Sequence, residues 1–91
     1  GCISVTANIA PKLCSELHNN WKNKEIDKAL KINLKLAKVH QALFIESSPG
    51  PVKYAAELLK LCKAETRLPL APIKDSTKLI IKECMKEANL I

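Results

Sequence analysis

The chain has 91 residues, enough for one small domain, and its 47% hydrophobic content excludes intrinsic disorder. A net charge of +6 permits a polyanion partner, but of the 15 cations only Arg67 is an arginine and aromatics are 3%, which argues against nucleic-acid reading by bidentate contacts and base stacking. No charge-free stretch approaches the roughly 20 apolar residues that a membrane span needs.

Gly1 to Val5 is a short apolar run of the kind found in a strand covered on both faces. Thr6-Ala7-Asn8 breaks it, and Asn8 is placed to cap a first helix from about Ile9 to Trp21, with Pro11 tolerated in the opening turn. Ala10, Leu13, Cys14, Leu17 and Trp21 recur along that helix at helical spacing. A second, longer helix is predicted from about Lys24 to Ile45. Its apolar residues fall in two sets, Ile26, Leu30, Leu34 and Ala37, and Ile32, Leu36, Val39 and Leu43, a wide arc that implies cover on more than one side. Lys28, Lys31, Lys35 and Lys38 form a cationic stripe on it, read as a solvated face, with a polyanion track as the sharper alternative.

Ser47 to Pro51 reads as a loop that opens a third helix, with Ser48 as cap and Pro49 at its first position. Val52, Ala55, Ala56, Leu59 and Cys62 make its buried face. Arg67 to Pro72 is an extended connector stiffened by two prolines. Asp75 is the expected cap of the last helix, whose stripe is Thr77, Ile80, Ile81, Cys84 and Ala88. The expected fold is therefore all-α: four helices after one short N-terminal strand segment, in one compact unit. One strand is not a sheet, so its backbone groups need partners from another part of a longer chain or from another copy.

The residues reveal little catalytic chemistry. Cys2, Cys14, Cys62 and Cys84 contain no C-x-x-C pair and lie among apolar neighbours, so they read as packed, reduced thiols. With no visible signal peptide, that reading points to the cytoplasm. Cys14 and His18 stand four apart, but two ligands do not complete a metal site. His40, in the middle of the long helix, reads as a satisfied or solvated histidine. Two glycines do not make a phosphate loop, and every lysine sits at a polar position, not in the apolar setting that activates a Schiff-base amine.

Several ordered motifs do carry a resemblance. Gly1-Cys2-Ile3-Ser4-Val5-Thr6-Ala7-Asn8 resembles the G-x-I-S-V-T-A-N segment of the dihydrodipicolinate synthase family, and its wording favours that family over sister aldolases such as N-acetylneuraminate lyase. Leu43-Phe44 with Glu46 is similar to its L-F-x-E, and Pro49, Pro51, Val52 and Lys53 to its N-P-x-P-V-K. Arg67-Leu68-Pro69-Leu70 with Pro72, then Asp75-Ser76 and Leu90-Ile91, continue the likeness along the whole chain. Cys2 stands where an aliphatic residue is usual, and Ser48 and Gly50 replace Asn and an aliphatic, leaving the start of the third helix more flexible.

The resemblance implies a place in a (β/α)8 barrel enzyme. Residues 1–22 would be strand and helix eight, the last β/α unit, and residues 23–91 a C-terminal three-helix extension. Members condense pyruvate, held as a Schiff base on a lysine, with aspartate semialdehyde in lysine biosynthesis. The lysine, the relay tyrosines and the pyruvate-orienting threonine would all precede this segment. Only Ile3 carries over, as a pyruvate-lining position at the end of strand eight, where barrel sites lie. No cofactor or metal is expected, and the chain alone is expected to be inactive. Its expected partners are the missing N-terminal portion or a further copy of itself. The alternatives are a stand-alone helical oligomerisation module and, less favoured, a basic polyanion-binding protein.

Overall fold

The computed structural model describes residues 2–65 and 72–91. The predicted connector at Arg67 to Ala71 lies outside the described residues. A 3-10 turn, Thr6–Asn8, leads into four helices: α1 Pro11–Lys22, α2 Ile26–Ala42, α3 Gly50–Leu58 and α4 Asp75–Glu87. Helix α2 packs against α1 and α4, α3 packs against α4, and the 3-10 turn rests on α1 and α3.

The predicted N-terminal strand is not formed. Cys2 and Ile3 are exposed, and Val5 already has right-handed helical dihedrals, φ −71° and ψ −43°. A strand is stabilised by its neighbours' ladder bonds, and the described residues hold no strand to pair with.

The core gathers Ile9, Val39, Ala42, Leu43, Val52, Ala55, Ile73, Ile81, Met85 and Ala88. It takes one set from the wide arc of α2. Of the other set, Leu30 and Leu34 stay exposed, Leu34 at 73%, so the second side of α2 is not covered. Helix α1 buries none of its residues and Trp21 is 65% exposed. The α4 stripe is corrected at Ile80, which is exposed, in favour of Met85. Cys62 lies past the end of α3 and is exposed, as is Cys2, so two of the four thiols are not packed.

None of the three expected caps is an N-cap. Asn8 closes the 3-10 turn, where its amide donates to the Val5 carbonyl at 3.0 Å, and α1 starts three residues later at Pro11. Ser48 is left outside α3, which begins at Gly50 with Pro49 as its N-cap. Asp75 is the first residue of α4, not its cap, and its exposed carboxylate lies 3.9 Å from the Lys78 amine. The capping work is done from a distance. The Glu46 carboxylate accepts the Lys74 N–H at 2.9 Å, from 28 residues away, and also the Thr77 hydroxyl. This reproduces one half of a capping box, the acid's bond to the N-cap N–H, with the acid supplied by the loop after α2. Lys78 adds a cation–π contact, its amine 5.5 Å from the centre of the Tyr54 ring on α3.

The helix ends are fixed by backbone geometry. Three helices finish in Schellman motifs whose left-handed residues are Lys24, Lys60 and Asn89, with φ of 62°, 61° and 58°. The paired closing bonds are Lys24 N–H to the Trp21 carbonyl and Glu25 N–H to that of Asn20, and the same pattern follows α3 and α4. Only Asn89 is a residue type that visits this region readily; a lysine is strained there. Gly50 has a different role, because a Cβ on it would meet the Ile73 Cγ2 at 2.9 Å. Its missing side chain lets α3 approach the segment that enters α4, a packing requirement in place of the flexibility the sequence suggested.

Three predictions follow from this packing. Lys24→Gly and Lys60→Gly should each raise stability in urea by about 0.5–1 kcal/mol, the strain relieved less the backbone entropy of glycine. Gly50→Ala should lower it by about 1–3 kcal/mol through overpacking on Ile73. The third concerns pH. The bonds from Thr77 and then the Lys74 N–H, with the Lys74 charge, outweigh desolvation and hold the Glu46 carboxyl below its ordinary range. A depressed carboxyl stabilises the fold above its unfolded value, and that stability is lost as pH falls through the folded value. The stability difference between the parent and Glu46→Gln, measured by urea titration, should therefore be full at neutral pH and shrink on acidification through the carboxylate range.

Candidate functional site

The segment that the resemblance marks as a site edge, residues 2–10, sits at the junction of α1, α2 and α3. Ile3 is 104% exposed and projects from the chain without cover. Behind it the chain is tied into a polar knot. The Ser4 hydroxyl accepts the Ala7 N–H at 3.1 Å, and the Val5 carbonyl accepts the Asn8 backbone N–H at 3.1 Å. The Thr6 carbonyl accepts both the Ile9 and Ala10 N–H groups, at 3.0 and 2.9 Å. The Thr6 side chain is 2% exposed, and its Oγ1 lies 2.6 Å from Nδ1 of His40 on α2. His40 is thus a satisfied histidine with a specific partner. The sequence pattern does not reveal this pairing, since 34 residues separate the two, nor the burial of Thr6 between Val5 and Ala7.

The Cys14–His18 pair is not brought together with further ligands. His18 is exposed, Cys14 is half-buried, and among the described residues no group of three or more His, Cys, Asp or Glu side chains is placed to hold a metal. The Cys14 thiol is pushed up by burial and then by the nearby Cys2, against a lowering hydrogen bond with Ser4. Cys84 is likewise pushed up, by burial first and then by Glu87 and Glu83, with Lys38 opposing. A raised thiol is a poor nucleophile near neutrality.

The lysines divide in the same way. Lys53 and Lys78 are half-buried and every other lysine is exposed. Lys53 donates to the Glu65 carbonyl at 2.8 Å. The cationic stripe of α2 is partly neutralised within the chain, since Lys28 pairs with Glu25 at 3.4 Å and Lys38 with Glu87 at 3.1 Å. Both pairs are exposed and contribute little to stability, but they weaken the stripe as a polyanion track.

Two surface concavities flank α1. One of about 420 Å³, between α1 and α2, is lined by Leu17, His18, Trp21, Ala29, Leu30 and Asn33. Leu34, one helical turn beyond Leu30 on α2, is also exposed. The second, of about 310 Å³, lies between the start of α1 and the end of α4, with Lys12, Glu16 and Lys35 among its walls. Neither has a serine, threonine or cysteine among its lining residues, and the lysines of the second are exposed. The arrangement presents one exposed hydrophobic side chain, Ile3, on a rigidly tied turn.

Known proteins resemble the chain along its whole length. Residues 1–88 match the family described as the dihydrodipicolinate synthetase family. The 4-hydroxy-tetrahydrodipicolinate synthase of Gluconacetobacter diazotrophicus is 50% identical over all 91 residues, which span 31% of that protein. The dihydrodipicolinate synthase structure from Thermotoga maritima superposes on the whole chain with a TM-score of 0.95 at 36% identity, again over 31% of its own length. The chloride-inhibited enzyme of Acinetobacter baumannii, determined in complex with pyruvate, gives 0.92 at 41% identity, also over all of this chain and 31% of that one. The chain thus spans about a third of the length of its relatives and corresponds to a C-terminal segment of them. It belongs to the dihydrodipicolinate synthetase family.

Proposed function

We propose that this chain supplies the C-terminal third of a cytoplasmic dihydrodipicolinate synthase, the enzyme that condenses pyruvate with aspartate semialdehyde. The observation that carries the reading is the family match across residues 1–88, together with 50% identity over 91 residues to a 4-hydroxy-tetrahydrodipicolinate synthase. In this reading residues 1–22 are the last β/α unit of the barrel and residues 23–91 its three-helix extension. Ile3 lines the pyruvate site from the end of barrel strand eight, and its full exposure here is what an apolar site wall looks like when the wall opposite is another part of the protein. The same holds for the apolar α1–α2 side around Trp21, Leu30 and Leu34, a contiguous surface that water does not favour. The isolated chain does not turn over, since covalent catalysis on pyruvate needs a desolvated amine and no lysine here is buried. A second reading, self-association as a helical module, draws on the same apolar side.

A chimera tests the first reading. These residues would replace the matching C-terminal segment of the Gluconacetobacter enzyme. The chimera should fold and condense pyruvate with aspartate semialdehyde, and Ile3→Ala in it should raise the pyruvate KM about tenfold, the scale of a lost apolar contact in a binding pocket. A folded chimera with no turnover, or a pyruvate KM indifferent to Ile3→Ala, would count against it.

A further inference from the structure

We propose that His40 is a positioning residue for the Ile3 segment: its hydrogen bond to Thr6 sets the turn from which the pyruvate-facing residues project. The proposal rests on the reading of Ile3 given above. Three observations support it. First, the bond is short, 2.6 Å, and joins the N-terminal turn to the last turn of α2 across 34 residues. Secondly, the threonine side chain is buried and the histidine half-buried, so water competes poorly for either partner and a lost bond is not replaced. Thirdly, Thr6 is the pivot of its own turn. Its carbonyl receives the Ile9 and Ala10 N–H groups, and both of those residues are buried. Holding the Thr6 side chain therefore fixes both the direction in which Ile3 leaves the turn and the start of α1. The bond works in either ring tautomer, Nδ1 accepting from the hydroxyl or donating to it. Because α2 packs on α1 and α4, the histidine makes the helical extension, not the local chain, the reference for the site edge.

Amide hydrogen exchange on the 91-residue chain separates this role from general stability. Thr6→Val and His40→Phe should each speed exchange of the Ile9 and Ala10 N–H groups about tenfold, leave Ile81 and Met85 of α4 unchanged, and show no further gain when combined. Thr6→Ser, which keeps the hydroxyl, should stay near the parent. Unchanged exchange at Ile9 and Ala10 would overturn the proposal, and so would a loss of protection that runs equally through α4. If His40→Phe fails to fold, Thr6→Val against Thr6→Ser decides alone. In the chimera, Thr6→Val should raise the pyruvate KM more than it lowers kcat; an unchanged KM would contradict a role at the site. A parent chimera that binds no pyruvate would defeat the functional reading, while the exchange pattern would still decide whether His40 sets the turn.

Discussion

Helix α2 is the element on which the rest of the structure depends. Its buried residues Ala29, Leu36, Val39 and Ala42 form a line along one side, so a single 17-residue helix offers support both to α1 and to α4. Helix α3 is held indirectly, through α4 and the 3-10 turn. The remaining surface of α2 is split between paired lysines and the exposed Leu30 and Leu34. A small domain has little core to spare, and this one uses its α2 contacts to hold two other helices in place.

The joints between elements are polar and long in sequence. Glu46 closes the start of α4 from the loop before α3, and His40 holds Thr6 from the last turn of α2. Each sits where apolar packing alone would leave direction loosely specified, because burial is non-directional and a hydrogen bond is not. The result is an N-terminal segment with an exposed tip, Ile3, on a rigid base. That division suits a residue whose partner surface lies elsewhere in a larger protein, as expected for a chain that spans about a third of its relatives.

Much of this was legible in the residues, for reasons that can be named. The four helices follow from apolar spacing, which tertiary packing reinforces; of the wide arc on α2, Leu36 and Val39 are buried while Leu30 and Leu34 stay exposed. The family could be read because its motifs are strings of particular residues, independent of any structural inference. What failed was local reasoning about ends and exposure. Asn8, Ser48 and Asp75 all have good capping side chains, yet α1 and α3 start with no side-chain cap and the start of α4 is served by Glu46, because tertiary contacts overrule a preference worth about 1 kcal/mol. The N-terminal strand failed for a related reason. Its pattern describes a strand inside a sheet, and the described residues contain no neighbouring strand. The Thr6–His40 pair was invisible because no periodicity links positions so far apart.

The central claim is that this chain carries an edge of a pyruvate site without its nucleophile. Pyruvate with borohydride reduction, followed by intact-mass measurement, tests it directly. The account predicts no adduct on the isolated chain and a single pyruvate adduct on the chimera, outside these 91 residues. An adduct on any lysine of the isolated chain would contradict it.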